Sequence, residues 1–272
     1  MNNLSIIKRN NISVEGNLFS HKTILFAHGF GTDQSVWRYI KHSFESEYKL
    51  VLFDNTGAGG SAPDFYRKDR YSTLDGYACD LLEIGAALNL DQVIFIGHSV
   101  SAMVGLLASL SWPRLFSKMI LIGASARYLN DEGYKGGFDQ NELNEVYQEI
   151  EANFYQWANE FSKVAMANPE RPWLREEFNQ SLLNLSPEVA RDATRSIFQS
   201  DFRHILPEIN NKVLIIQSAI DVAVPLEAAQ YLHRHIRGSQ MRVIPAEGHF
   251  PHMSAPQEVL SAILEFLGRD EK

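Results

Sequence analysis

Three side chains of this sequence could together carry out nucleophilic catalysis: Ser99, Asp221 and His249. A serine hydroxyl is a weak nucleophile unless an imidazole accepts its proton, and the imidazole needs a carboxylate to hold it in the correct tautomer. Such a triad transfers an acyl group first to serine and then to water. The order serine, acid, histidine along the chain is one in which the triad occurs.

Ser99 lies where an apolar run passes into a helical pattern. Residues 93–96 are β-branched or aromatic and suit a strand buried on both faces, and apolar residues recur at helical spacing after Ser99. Only Gly97 to Ser99 is left to form the connection, which predicts a tight strand-to-helix turn with the hydroxyl pointing outward. The usual pattern is G-x-S-x-G, and here Ser101 takes the place of the last glycine. The alternative is that Ser99 only caps an ordinary helix.

Asp221 and His249 each follow a predicted strand. Ligands of open parallel sheets bind at the carboxyl ends of strands, so the partners of Ser99 are expected there. Glu227 in a predicted helix and Asp201 in a helical insertion are weaker candidates for the acid. His252 is the alternative base, but the glycine directly before His249 gives its loop room to turn.

Two backbone amides are candidates for an oxyanion hole, the pair of donors that stabilises negative charge on the substrate oxygen. The N–H of Val100 belongs to the start of the helix that follows Ser99. The N–H of Phe30 lies in a glycine-rich segment directly after the predicted strand 23–27.

Other motifs in the chain are weaker. Residues 55–61 contain G-x-G after a strand, but the third glycine is missing and Pro63 follows, which favours a turn over a nucleotide site. His233 and His235 lie two apart in a helical pattern and therefore face different sides, so they make a poor metal pair. Neither a metal nor a cofactor is expected. The single cysteine, Cys79, excludes an internal disulfide and is predicted to be buried in a helix.

The elements that must position these residues alternate along the chain. Strands are predicted at residues 23–27, 50–53, 93–96, 119–122, 213–216 and 241–244, and helices at 34–44, 73–88, after Ser99 and from 254 to 268. This alternation predicts an α/β protein of the α/β-hydrolase fold with a mostly parallel central sheet. Residues 126–206 interrupt the alternation of strands and helices, because they are helical and rich in aromatics. They are predicted to form a helical cap inserted into a core made of residues 1–125 and 207–272.

Composition narrows the class of protein. The 272 residues carry 25 basic and 33 acidic side chains, a net charge of −8, without a basic tract, which argues against nucleic acid as a partner. The N-terminus lacks an apolar signal core, and no apolar run is long enough to span a membrane. These features predict a soluble cytoplasmic protein without a membrane partner.

Several segments together carry a resemblance to a known family. They are residues 28–37 (HGFGTDQSVW), 53–59 (FDNTGAG), 71–78 (YSTLDGYA), 97–102 (GHSVSA), 128–131 (YLND), 136–138 (GGF) and 247–254 (EGHFPHMS). The sequence resembles the RsbQ-like group of α/β-hydrolases, which includes the bacterial stress-signalling regulator RsbQ and the plant karrikin and strigolactone receptors.

The resemblance implies the same triad and a four-helix, V-shaped cap over a closed, mostly apolar cavity. The positions that match the pocket aromatics of the family are Phe30, Phe138, Trp157, Phe161 and Phe198. Ser101 matches the receptor-type turn, whereas a glycine is expected in the bacterial regulator, so both subgroups stay open.

Two functions are compatible with these residues. The first is a serine hydrolase that acts on a small apolar ester or lactone. The second is a signalling module that binds or slowly cleaves a small hydrophobic ligand and reports this to a protein partner. For an RsbQ-like protein, that partner would be a PAS-domain-containing protein phosphatase. Dehalogenase chemistry would need a carboxylate in place of Ser99.

Overall fold

A central sheet organises the protein. The computed structural model describes residues 2–268. Its strands are β1 (Ser13–Gly16), β2 (Thr23–Ala27), β3 (Lys49–Phe53), β4 (Val93–His98), β5 (Phe116–Ile122), β6 (Lys212–Ile220) and β7 (Gln240–Glu247). They form one seven-stranded sheet in the order β1-β3-β2-β4-β5-β6-β7. Only the pair β1 and β3 is antiparallel among these strands, so the predicted mostly parallel sheet is confirmed.

Helices cover both faces of the sheet. They are α1 (Asn3–Arg9), α2 (Asp75–Ala87), α3 (Val100–Ser111), α4 (Gln140–Met166), α5 (Pro172–Leu183), α6 (Pro187–Phe198), α7 (Leu226–His235), α8 (Pro251–Ser254) and α9 (Pro256–Gly268). One apolar cluster packs α1, α2, α3 and α7 on one face, and a second packs α8 and α9 on the other. This layered arrangement is the predicted α/β fold. Within residues 2–268, no helix has the length and apolar character needed to cross a membrane.

Three details differ from the sequence-based expectation. Residues 34–44 form two short 3-10 helices, Gln34–Tyr39 and Lys41–Ser43, instead of one α-helix. The polar N-terminus contributes α1 and β1, which the sequence did not predict. The prediction that Cys79 is buried is wrong, because the buried stripe of α2 runs through Ala78 and Leu81 and leaves position 79 facing solvent.

Helices α4, α5 and α6 follow one another between β5 and β6, and α4 packs against the other two. The α4 helix is interrupted at Asn153, whose φ of −159° and ψ of 87° are not helical. Together with α5 and α6, its two parts make four helical segments. A capping box formed by Asp139 and Glu142 fixes the start of α4.

Candidate active site

Ser99 occupies the tight turn between β4 and α3. Its φ of 54° and ψ of −124° lie in a region that costs energy for any residue except glycine. The backbone N–H of Ser99 donates to the carbonyl of Ile122 at the end of β5, 2.8 Å away. The turn is therefore held by the sheet in the strained conformation that lifts the Ser99 side chain off the strand end.

The structure brings Ser99, His249 and Asp221 into one hydrogen-bonded row. The Oγ atom of Ser99 lies 2.8 Å from Nε2 of His249, and Nδ1 of His249 lies 2.8 Å from Oδ2 of Asp221. An ionised aspartate only accepts hydrogen bonds, so Nδ1 of His249 carries the proton and Nε2 keeps a lone pair. That lone pair faces the hydroxyl of Ser99, which is the geometry of a general base beside its nucleophile.

The buried carboxylate of Asp221 accepts three hydrogen bonds in addition to the one from His249. The backbone N–H groups of Ala223 and Val224 donate to its Oδ1 atom at 2.9 and 3.0 Å, and Nε2 of Gln217 donates to Oδ2 at 3.0 Å. Burial raises the pKa of Asp221, but the charge and hydrogen bond of His249 and the two backbone hydrogen bonds outweigh burial and hold the pKa below its ordinary value. Asp221 therefore stays ionised at neutral pH.

The alternative acids and the alternative base lie elsewhere. Glu227 is exposed and pairs with a lysine, and Asp201 pairs with two arginines at the surface. His252 is fully buried in α8, where its ring packs against Trp37 and His98 at centroid distances of 4.9 and 4.5 Å. Neither ring nitrogen of His252 has a hydrogen-bond partner among the described residues.

Buried histidines behind the site predict that the fold loses stability in mild acid. Burial lowers the pKa values of His28 and His98, and it lowers that of His252 to about 3. Below about pH 6.5 the unfolded chain, whose histidine pKa values lie near 6.5, binds protons that the folded chain does not bind. Stability is therefore full above about pH 6.5 and falls as the pH drops towards 3, by up to about 1.4 kcal/mol per pH unit for each such histidine.

Urea unfolding at pH 5 and at pH 7.5 measures this loss. The variant His252→Leu should lose less stability between the two pH values than the native protein, because it removes one of the buried groups. The variant His204→Gln is the matched control, since His204 is exposed. If His252→Leu keeps the full pH dependence, His252 does not contribute to it.

The two predicted oxyanion donors lie next to Ser99 in the chain or in space. Val100 is the first residue of α3, where a backbone N–H has no acceptor within its own helix. Phe30 lies beside Gly29, whose backbone passes so close to Ser99 that a Cβ atom built on it would come within 3.2 Å of the Ser99 Cβ. The segment that carries the N–H of Phe30 is thus packed directly against the turn.

Ser101 ties this segment to α3. It is fully buried, and its hydroxyl donates to the backbone carbonyl of His28. The side-chain amide of Asn55 donates both to that carbonyl, at 2.9 Å, and to the Ser101 hydroxyl, at 3.2 Å. A glycine at position 101 would leave this connection unmade, so the departure from the usual motif has a structural role.

If the N–H of Phe30 is an oxyanion donor, the variant Ser101→Gly should lower kcat for ester hydrolysis by about tenfold with little change in KM, because that N–H is then held less firmly where charge develops. Steady-state kinetics with p-nitrophenyl acetate measures both constants. The control is Ser109→Ala, which removes another buried serine hydroxyl from α3, one that donates to Leu106 away from the site. Equal losses in the two variants would mean that Ser101 only stabilises the helix.

The hydroxyl of Ser99 and the ring of His249 open into a small apolar cavity. It has a volume of about 30 Å³ and is lined otherwise by Phe30, Tyr128, Phe161, Phe178, Ile197, Phe198, Ala223 and Phe250. We call it the nucleophile cavity. Three of the predicted pocket aromatics, Phe30, Phe161 and Phe198, line it. The other two support them from outside: the Trp157 ring stacks on Phe161 with centroids 5.0 Å apart, and the Phe138 ring contacts Phe198 at 5.0 Å.

Sequence reasoning assigned no role to Tyr128. Its hydroxyl oxygen lies 3.5 Å from Oγ of Ser99, and burial raises its pKa, so the phenol stays protonated. Tyr128 follows β5 at the same edge of the sheet as Ser99. That position after a central strand was the available signal.

No group of three His, Cys, Asp or Glu side chains between residues 2 and 268 is arranged to hold a metal ion. The polar side chains that line the nucleophile cavity are those of Ser99, His249 and Tyr128.

A parallel sheet that presents a strained serine, hydrogen-bonded to a histidine and an aspartate at its edge, is the arrangement of a serine hydrolase. The chain belongs to the alpha/beta hydrolase fold family, whose pattern matches residues 22–256. Within that family, the predicted membership of the group with karrikin- and strigolactone-receptor-like hydrolases is also confirmed.

Relatives of this group match almost the whole chain. Karrikin insensitive 2 receptor CA of Petunia hybrida is 40% identical over 261 residues, which cover 96% of each chain. Strigolactone esterase D14 of Arabidopsis thaliana is 39% identical over 270 residues, which cover 99% of this chain and 100% of the relative. The solved structure of a hydrolase from Oleispira antarctica is 34% identical, with a TM-score of 0.95 over 99% of this chain and 98% of its own.

Proposed function

We propose that the protein hydrolyses a small apolar ester or lactone through a triad of Ser99, His249 and Asp221. The observation that carries this proposal is the hydrogen-bonded row of these side chains, which ends at the nucleophile cavity. Ser99 Oγ bonds to the carbonyl carbon while its proton passes to Nε2 of His249. The backbone N–H groups of Phe30 and Val100 stabilise the negative oxygen.

The remaining steps regenerate the enzyme. When the bond to the leaving oxygen breaks, His249 gives its proton to the leaving alcohol. A water molecule then attacks the acyl carbon on Ser99 while His249 takes a proton from that water. The bond between Oγ and the acyl carbon breaks, His249 gives the proton to Oγ, and the carboxylic acid leaves. Asp221 holds His249 in one tautomer throughout and stays ionised.

The lining of the nucleophile cavity supports a neutral substrate. Apart from the proposed triad, its walls are aromatic and aliphatic, with the protonated hydroxyl of Tyr128 as an added polar group. We further propose that residues 126–206 act as a cap, since they contribute Tyr128, Phe161, Phe178 and Phe198 to this cavity. Residues 1–125 and 207–272 then form the core, of which residue 1 and residues 269–272 lie outside the described residues. The nucleophile cavity, with a volume of about 30 Å³, favours a small substrate.

Turnover of p-nitrophenyl acetate, combined with mass spectrometry of the intact protein after exposure to candidate lactones, tests this proposal. We expect release of nitrophenolate and a mass gain of one acyl group, which digestion of the protein should locate on the peptide that contains Ser99. Absence of both turnover and adduct across a panel of small esters and lactones would contradict it.

A second function is favoured by the relatives that are named as receptors. We propose that binding or slow cleavage of a small hydrophobic ligand is reported to a protein partner through the cap. Its partner, by the RsbQ-like resemblance, is a PAS-domain-containing protein phosphatase. The single cysteine of the sequence agrees with the reducing cytoplasm, where we place this function.

The rate of ester or lactone hydrolysis distinguishes the hydrolase function from the signalling function. Signalling predicts slow hydrolysis, a ligand-dependent shift in melting temperature and a partner that binds more tightly with ligand. Fast multiple turnover of a metabolite, without any ligand-dependent binding of a PAS-domain phosphatase, would count against signalling.

A further inference from the structure

A second cavity adjoins the nucleophile cavity. It has a volume of about 40 Å³ and lies between α6, the start of α3 and the loops that follow β2 and β3. Phe30 and Ile197 line both cavities, so these two side chains form the wall between them. We call the second space the side cavity.

The side cavity is walled by apolar stripes of two helices. Positions 189, 193 and 197 of α6 are four residues apart and therefore share one face of the helix, and positions 100 and 104 of α3 do the same. The apolar side chains concerned are Val100, Val104, Val189, Ala193 and Ile197, with Leu185 beside them. These side chains make most of the cavity wall apolar, so an apolar group fills the space favourably.

The polar atoms of His28, which lines the side cavity, already have hydrogen-bond partners. Nδ1 of His28 donates to the carbonyl of Gly29 at 2.8 Å, and Nε2 of His28 accepts from the backbone N–H of Asn55 at 2.9 Å. The carbonyl of His28 accepts from Ser101 and from the Asn55 amide. None of the residues that line this cavity in the described part of the chain carries an ionised side chain at neutral pH. An ionic ligand group would therefore lie there without a counter-charge.

The position of the triad determines whether the leaving group or the acyl chain of a substrate faces the side cavity. The leaving oxygen must lie next to Nε2 of His249, which protonates it, and His249 lines only the nucleophile cavity. The carbonyl oxygen must point to the N–H groups of Phe30 and Val100, two residues that border the side cavity. The remaining substituent of the carbonyl carbon, the acyl chain, then points away from His249 and towards Phe30 and Ile197.

We propose that the side cavity is an acyl subsite, which receives an uncharged aliphatic or small cyclic acyl substituent while the carbonyl carbon is held at Ser99. This inference rests on the proposed hydrolase function and specifies its substrate class further. The substrate is an ester or lactone whose carbonyl carbon carries an apolar group that passes the Phe30 side chain.

Hydrolysis of p-nitrophenyl acetate, butyrate and hexanoate tests the subsite. In the native protein, kcat/KM should rise from acetate to hexanoate. Val189→Phe fills the side cavity and should lower the hexanoate-to-acetate ratio of kcat/KM by about tenfold. This is the effect of losing the burial of about two of the four methylenes that hexanoate has beyond acetate. Val104→Ala enlarges the cavity and should shift the preference towards the longer chain, which keeps the test informative if the Phe variant fails to fold.

A matched control adds the same ring elsewhere on the cap. Val164 in α4 is 56% exposed, so Val164→Phe should leave the ratio at the native value. If the native protein hydrolyses acetate but neither Val189→Phe nor Val104→Ala changes the ratio, the subsite is wrong and the hydrolase function stands. If the native protein hydrolyses none of these esters and forms no Ser99 adduct, both proposals fail.

A crystal structure with hexylboronic acid bound to Ser99 gives an independent readout. The alkyl chain of this acyl mimic should lie against Val104 and Val189. A chain that runs along Phe161 and Phe178 instead would overturn the assignment.

Discussion

The variant Ser99→Ala is expected to hydrolyse p-nitrophenyl acetate about 10⁴- to 10⁶-fold more slowly than the native protein, close to the background rate. Without Oγ, no covalent acyl intermediate can form, and His249 has no hydroxyl to activate. Oxyanion donors and binding alone leave only a small residual acceleration. Nitrophenolate release under saturating ester, together with the intact mass of the protein after the reaction, measures the loss.

The fold of Ser99→Ala should be unchanged, because the turn is held by the backbone hydrogen bond of residue 99 to the carbonyl of Ile122. Its melting temperature therefore serves as a control, as does the variant Ser43→Ala, which alters an exposed serine. Hydrolysis at the native rate by Ser99→Ala would remove Ser99 as the nucleophile. A melting shift by lactones that persists in this variant would show that ligand binding does not need the covalent step.

The central elements could be read from the sequence because buried parallel strands appear as short, continuous apolar runs. The run at residues 93–96 became β4, and the helical spacing after Ser99 became α3. The candidate acid Asp221 and the candidate base His249 were predicted in the same way, because each follows such a run and therefore lies at the same edge of the sheet.

The N-terminal elements depend on contacts that no local pattern reveals. Arg9 at the end of α1 is fully buried, where it lies 3.2 Å from Asp80 and also pairs with Glu83, both on α2. An ion pair between segments some seventy residues apart holds this helix, which buries only one apolar side chain, that of Ile6. Hydrophobic periodicity in the sequence therefore did not predict this helix.

The side chains that line the nucleophile cavity could be predicted only in part, for a similar reason. Its walls come from α4, α5, α6 and the loop after β5, whose packing sets which ring faces Ser99 and which supports it from behind. Phe178 and Tyr128 face the cavity, whereas Trp157 stacks behind Phe161. Spacing along one helix places a residue on a face, but it does not say which neighbouring helix covers that face.

Replacing Asp221 with asparagine is expected to lower kcat by about 10³- to 10⁴-fold while leaving KM and the fold nearly unchanged. The surroundings dictate how the amide must lie. Two backbone N–H groups, of Ala223 and Val224, point at the position of Oδ1, whereas one side-chain donor, Gln217, points at that of Oδ2. The amide oxygen therefore takes the place of Oδ1, and the NH₂ group faces Nδ1 of His249.

The NH₂ group then donates to Nδ1 of His249, which places the imidazole proton on Nε2. A protonated Nε2 has no lone pair for the hydroxyl of Ser99, so the base is present in the wrong tautomer. Ester hydrolysis and the melting temperature of Asp221→Asn measure this effect. The control is Asp201→Asn, which changes the alternative acid at the surface and should keep the native kcat. A larger loss in Asp201→Asn than in Asp221→Asn would reverse the assignment, because only the carboxylate that fixes the tautomer can cost so much rate without loosening the fold.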